Sequence, residues 1–187
     1  MKKPGPRPPI EEAPMKPSQV AMLVRKCHGQ THRSLYYLWK GHEAALSNRR
    51  FVKGLKWAAW RPWFPDRVRF LEGMWRRRCA LMEPPATEEA WEAFTVANEG
   101  ASLSGLLAER ASWMAWLEAH PDTAAERKAR AERALVVVEE ILVRTNKKFA
   151  RQKRHLLRLK EWAAEAEAKA AALAADGTTT ETIGETV

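Results

Sequence analysis

The chain is short of cysteine, of long apolar runs and of catalytic signatures, and each shortage removes a class of protein. Only Cys27 and Cys79 occur in 187 residues. Neither has a C-x-x-C or Cys/His ligand spacing around it, so both read as small core hydrophobes rather than a disulfide or metal site. Apolar runs are brief: Ala134–Val138 meets Glu139 and Glu140, and the stretch from Trp57 to Phe64 is broken by Arg61 and Pro62. Nothing approaches the roughly eighteen apolar residues of a membrane-crossing helix. No G-x-S-x-G, P-loop or G-x-G-x-x-G occurs, and the acids gather on what read as solvated helix surfaces, so catalysis has no support. His28 and His32 form an i, i+4 pair, but Gly29 stands where H-E-x-x-H needs glutamate and no third ligand completes a set. β patterning and internal repeats are missing too. The N-terminal arm lacks an apolar h-region and carries Glu11 and Glu12, so it reads as neither a secretory signal nor an amphipathic transit peptide. Finally, no Gly or Pro stands between Thr123 and Ala175.

That last absence predicts one helix, about 80 Å long at 1.5 Å per residue, too long for a compact domain of this size. The 45% hydrophobic content is enough for a core. Helical spacing of Val20, Leu23, Val24, Cys27, Leu35, Leu38, Trp39, His42 and Leu46 predicts a first helix from the Ser18 cap to about Ser47. A second piece is expected over 49–59, and a third after Asp66, carrying Val68, Leu71, Met74, Trp75, Cys79 and Met82 until Pro84 and Pro85. Thr87, with Glu88 and Glu89 in the first turn, caps the next, which Gly100 closes. Ser102 opens another, expected to bury Leu103, Leu106, Leu107, Met114 and Leu117 before His120-Pro121. Thr123 and Glu126 have capping-box spacing. From there Leu135, Val138, Leu142, Thr145, Phe149, Gln152, Leu156, Leu159, Ala163, Ala166, Ala170 and Leu173 alternate by three and four, a seam for the chain's own bundle or a partner. The reading is all-α: an extended Pro-rich arm over 1–17, a helical bundle over 18–122, a long C-terminal helix over 123–176 and a polar tail over 177–187.

Charge is segregated within a net +9. Residues 18–82 hold fourteen Lys and Arg against three acids, residues 83–142 five against twelve, and residues 143–160 eight against none. The last block, Arg144, Lys147, Lys148, Arg151, Lys153, Arg154, Arg158 and Lys160, is a basic collar suited to phosphates, acidic protein or anionic headgroups. Arg76, Arg77 and Arg78 form a smaller basic group. Of nine tryptophans, Trp39, Trp75 and Trp91 fall at core phase, whereas Trp57, Trp60, Trp63 and Phe64 are aromatic interface candidates.

Ser34, Leu35, Tyr36, Tyr37 and Leu38, within a basic first helix, resemble the start of the mitochondrial LYR family. An Arg-rich helix, a connector and a helix ending in His120-Pro121-Asp122 follow in similar order. The resemblance spans residues 18–122 at most. It departs at Tyr37, where the family has arginine, and in the helix after Asp122, which lies outside the family core. It implies a three-helix LYR-like core, with Leu35, Tyr36 and Tyr37 as the motif. It also implies docking of a mitochondrial acyl carrier protein whose acyl-pantetheine enters the bundle, no cofactor being bound directly. Arg25, Lys26, Arg33 and Lys40 are the candidate contacts by charge.

Taken together these features read as a non-catalytic accessory subunit of a large assembly. The first choice is a respiratory-chain complex of complex I type, with the chain peripheral to the membrane on the matrix side of the mitochondrial inner membrane. The alternative is a ribosomal or mitoribosomal protein whose helix 143–160 binds rRNA.

Overall fold

The computed structural model describes residues 12–48 and 61–177. Among them the chain is all helical: α1 (Pro17–Cys27), α2 (His32–Asn48), α3 (Phe64–Ala80), α4 (Glu88–Glu99), α5 (Leu103–Ala119), α6 (Ala125–Thr145) and α7 (Lys147–Gly177). The helical piece expected over 49–59 and most of the tail 177–187 lie outside the described residues. The chain divides into two compact units, Met1–Ile141 and Leu142–Val187, so the first unit runs past Asp122 into α6.

Within the first unit α2, α3 and α5 pack against one another pairwise. Leu35, Trp39, Phe64, Val68, Leu71, Trp75, Cys79 and Ala115 meet at their centre, joined by Leu23 and Cys27 of α1. Trp39 and Trp75 stack with centroids 4.8 Å apart and planes at 21°. Three indoles find acceptors for their N–H: Trp75 donates to Ser112 Oγ, Trp113 to Glu109 Oε1 and Trp116 to the Met82 carbonyl, while the buried Trp39 Nε1 has no partner among the described residues. A second ring series, Trp91, Phe94, Trp113 and Trp116, couples α4 to α5. In α6, Ala131, Ala134, Val138 and Ile141 recur by three and four and are buried. Arg133 stands over the Trp91 ring at 4.3 Å, and Arg110 Nε binds Glu139 Oε1 at 2.8 Å, tying α6 to α4 and α5.

Local chemistry moves several boundaries from where periodicity put them. The single helix expected over 18–47 is two helices. Gly29 adopts φ 73°, a left-handed conformation glycine accepts without strain. Thr31 Oγ1 then takes the Ser34 amide at 3.2 Å and starts α2 afresh. The cap of α1 is Lys16, two residues before the expected Ser18, with Pro17 in the first turn and Gln19 Oε1 accepting the Lys16 amide. Asp66 lies inside the first turn of α3 rather than before it, and accepts the Met15 amide at 2.9 Å. Met15 is thereby held buried, fastening the end of the Pro-rich arm to α3. Thr87 and Ser102 cap α4 and α5 as expected.

The run beginning at Thr123 also divides. α6 starts at Ala125, so Thr123 falls outside the cap and its amide bonds the His120 carbonyl instead. At Asn146 the side-chain Oδ1 accepts the amides of Lys148 at 2.9 Å and Phe149 at 3.1 Å. Those donors would otherwise continue the α6 ladder, so Asn146 closes one helix and caps the next. The long C-terminal helix is α7, of 31 residues.

Candidate partner-binding surfaces

α7 carries the basic collar. At about 100° per residue, Lys147, Arg151, Arg154 and Arg158, spaced by four, three and four, form one line along it. Phe149, Leu156 and Ala163, at spacings of seven, lie on the opposite side. Lys148, Arg151, Arg154, Arg158 and Lys160 are exposed, as are Arg144 and Lys147, while Lys153 is half-buried. Every side chain from Arg154 to Ala172 is exposed, including Leu156, Leu157, Leu159 and Trp162. In the bundle, by contrast, several cations are met by acids: Arg69 by Glu12, Arg76 by Glu72 and Glu118, Arg127 by Glu83, Arg130 by Glu126. Among the described residues no acid meets Lys147, Lys148, Arg151, Arg154 or Arg158. Like charges three and four apart on a helix cost about 0.2–0.5 kcal/mol per pair, and cations in the first turn oppose the helix dipole. An anion laid along this face relieves both.

Inside the first unit the structure gathers a polar network that sequence reasoning missed. Glu109 on α5 is only 3% exposed. Its Oε2 accepts from His32 Nε2 at 2.7 Å and from Arg33 Nε at 2.6 Å, and its Oε1 from Trp113 Nε1 at 3.0 Å. Arg33 also donates to Asn98 Oδ1 at 2.9 Å, and Asn98 to the Phe94 carbonyl. Burial alone would raise the Glu109 carboxyl, but His32 and Arg33 outweigh it and hold the group below its ordinary range. The network therefore locks α2, α4 and α5 with an ionised carboxylate. Its signal was in the sequence: Leu106, Glu109, Trp113 and Trp116 repeat by three, four and three, which puts Glu109 on the buried stripe. The same stripe explains why Leu103, Leu107 and Met114, expected in the core, are exposed on the other side of α5.

The remaining residues singled out from the sequence separate by environment. Leu35 is buried and Tyr37 exposed, while Tyr36 is half-buried with its ring against Tyr37, Trp39 and Trp75. Arg25 and Lys26 are exposed at the end of α1. Arg33 is not a free contact, because Glu109 and Asn98 hold it, and Lys40 is paired with Glu43 at 2.7 Å. Phe64 is fully buried in the core and Trp63 half-buried against it, which takes Phe64 out of any interface. Trp57 and Trp60 lie outside the described residues. The His28–His32 pair is split by the turn at Gly29, and His32 is engaged by Glu109. Among the described residues no three His, Cys, Asp or Glu side chains are grouped to hold a metal. Burial pushes the Cys79 thiol up to about 11 and raises Cys27 as well, keeping both protonated and unreactive at neutral pH.

A cleft of about 200 Å³ opens between α2, α3 and α5, floored by Tyr36, Trp39 and Trp75 and rimmed by Lys40, Arg76, Met114 and Glu118. Arg76 there is already bound to Glu72 and Glu118. Among the described residues no helix is long and apolar enough to cross a membrane. Comparison with protein-family models finds no match, and comparisons with curated proteins and with solved structures find none either.

Proposed function

We propose that this chain is a non-catalytic accessory subunit of a large assembly, in which the bundle is the docking body and α7 the arm that engages an anionic partner. The observation that carries this reading is the exposure of α7: from Arg154 to Ala172 no side chain is covered, and its line of cations is unmatched by acids. A helix of 31 residues, about 46 Å long, gains little from the chain itself when its seam faces solvent, because helices are held mainly by packing one face.

Two finer identities fit this role. The position of Leu35 and Tyr36 on α2, one of three mutually packed helices, favours an LYR-like respiratory-chain subunit at the mitochondrial inner membrane, with an acyl carrier protein as partner. The cationic face of α7 favours a ribosomal protein. The test of the shared role is the behaviour of the natively expressed chain. It is expected to sediment with a particle many times its own mass, and an Arg154→Glu, Arg158→Glu double variant is expected to leave that particle. A native chain that sediments as a lone monomer overturns the proposal.

A further inference from the structure

The cationic face of α7 includes an aromatic side chain with no structural duty. Trp162 follows Arg158 by four residues and so extends the line Lys147, Arg151, Arg154, Arg158 by one more turn. It is 63% exposed, whereas Trp39, Trp75, Trp91, Trp113 and Trp116 are buried in the bundle. We propose that this face is a binding strip for single-stranded nucleic acid, in which the four cations follow successive phosphates and Trp162 stacks an unpaired base. The inference rests on α7 being the partner arm, and names that partner's chemistry.

Three features select this ligand among anions. One cation per helical turn, about 5.4 Å apart, makes a linear array, suited to a chain of phosphates rather than to one compact anion. Trp162 shares the cationic face. Phe149 and Leu156 do lie opposite that line, as on a helix set on an anionic bilayer, but Lys153 and Lys160 interrupt their side and Trp162 is absent from it, so no continuous apolar face with its aromatic anchor is left for a bilayer. An acidic protein surface would be served by the cations alone. A strand with splayed bases uses both the charge and the π face, because sequence-tolerant single-strand binding pairs a basic track with aromatic platforms. Unpaired bases are required: in a duplex their faces are stacked on each other and closed to an indole.

The test measures binding of the full chain to a fluorescent single-stranded oligoribonucleotide, to the same sequence as a duplex, and to vesicles containing anionic phospholipid, over a salt series. The single strand is expected to bind in preference to the other two. Its log–log salt slope should be near −3, at about −0.7 per phosphate neutralised by the four cations. Trp162→Ala should weaken binding about tenfold and leave that slope unchanged, since stacking carries no charge. Arg154→Glu with Arg158→Glu should remove binding and flatten the slope. Both positions are exposed, and unchanged circular dichroism confirms that the variants fold. Equal affinity for duplex, preference for vesicles, or indifference to Trp162→Ala each overturns the inference. The two proposals fail separately. Absence of oligonucleotide binding in a chain that still sediments with a large particle refutes the strip and leaves the arm. A lone monomer that binds the oligonucleotide refutes the assembly role and leaves the strip.

Discussion

At the scale of the residue, two buried titratable groups tie stability to single partners and to pH. Glu109 sits 3% exposed with three donors aimed at it. Removing one partner of such a pair leaves the rest uncompensated, so Glu109→Ala should cost about 3 kcal/mol, read as a lower urea midpoint at unchanged slope. A loss below about 1 kcal/mol would mean that solvent, not the network, satisfies Arg33. His42 is the second group. It is 2% exposed, its Nδ1 donates to the Leu38 carbonyl at 2.7 Å, and its Nε2 has no partner. Burial pushes its imidazole below the ordinary value, with Arg67 and Lys26 acting in the same direction against the Leu38 bond. The folded state therefore prefers neutral His42. That contribution is fully present above the unfolded value of about 6.5 and is lost as pH falls through the lower folded one. Glu109, also lowered, adds its loss further into acid. Stability should fall as pH drops below about 6.5, and His42→Leu should flatten that decline. An undiminished slope in the variant would place the titrating group elsewhere.

At the scale of the element, chain breaks are made by single side chains. Gly29 permits the turn between α1 and α2 and Thr31 restarts the ladder. Asn146 does the second job alone, drawing the Lys148 and Phe149 amides to its own oxygen. Asn146→Ala should cost about 1 kcal/mol of local stability, so exchange at those two amides should quicken about fivefold. Unchanged protection would show that the carbonyls of Arg144 and Thr145 take them over, making 125–177 one helix after all. Both breaks were legible in residue types, since Asn and Thr are favoured caps, but the hydrophobic spacing ran straight through them. Periodicity reports which face is apolar and is insensitive to one residue that diverts a pair of hydrogen bonds.

At the scale of the molecule, the charge blocks correspond to different structural uses. Four cations of the bundle, Arg33, Arg76, Arg110 and Arg127, are paired with acids outside their own helix, whereas Lys147, Arg151, Arg154 and Arg158 of α7 are exposed along a line. Because the side chains of Arg154, Leu156, Arg158 and Trp162 are exposed, replacing Leu156 and Trp162 by alanine should leave the thermal midpoint unchanged. A fall of several degrees would reveal packing by these two side chains. By itself the sequence determined the all-helical class, the caps at Thr87 and Ser102, the burial of Trp39, Trp75, Trp91 and both cysteines, and the acid-free collar. All of these follow from local spacing and residue type. Only the tertiary structure decided that Arg33 is spent on Glu109, that Phe64 is core, that Leu103, Leu107 and Met114 are not, and that Trp162 stays exposed. Each of those depends on what a neighbouring helix presents at that height, which one-dimensional spacing does not carry: Arg33 and Glu109 are 76 positions apart and meet only when α2 and α5 pack.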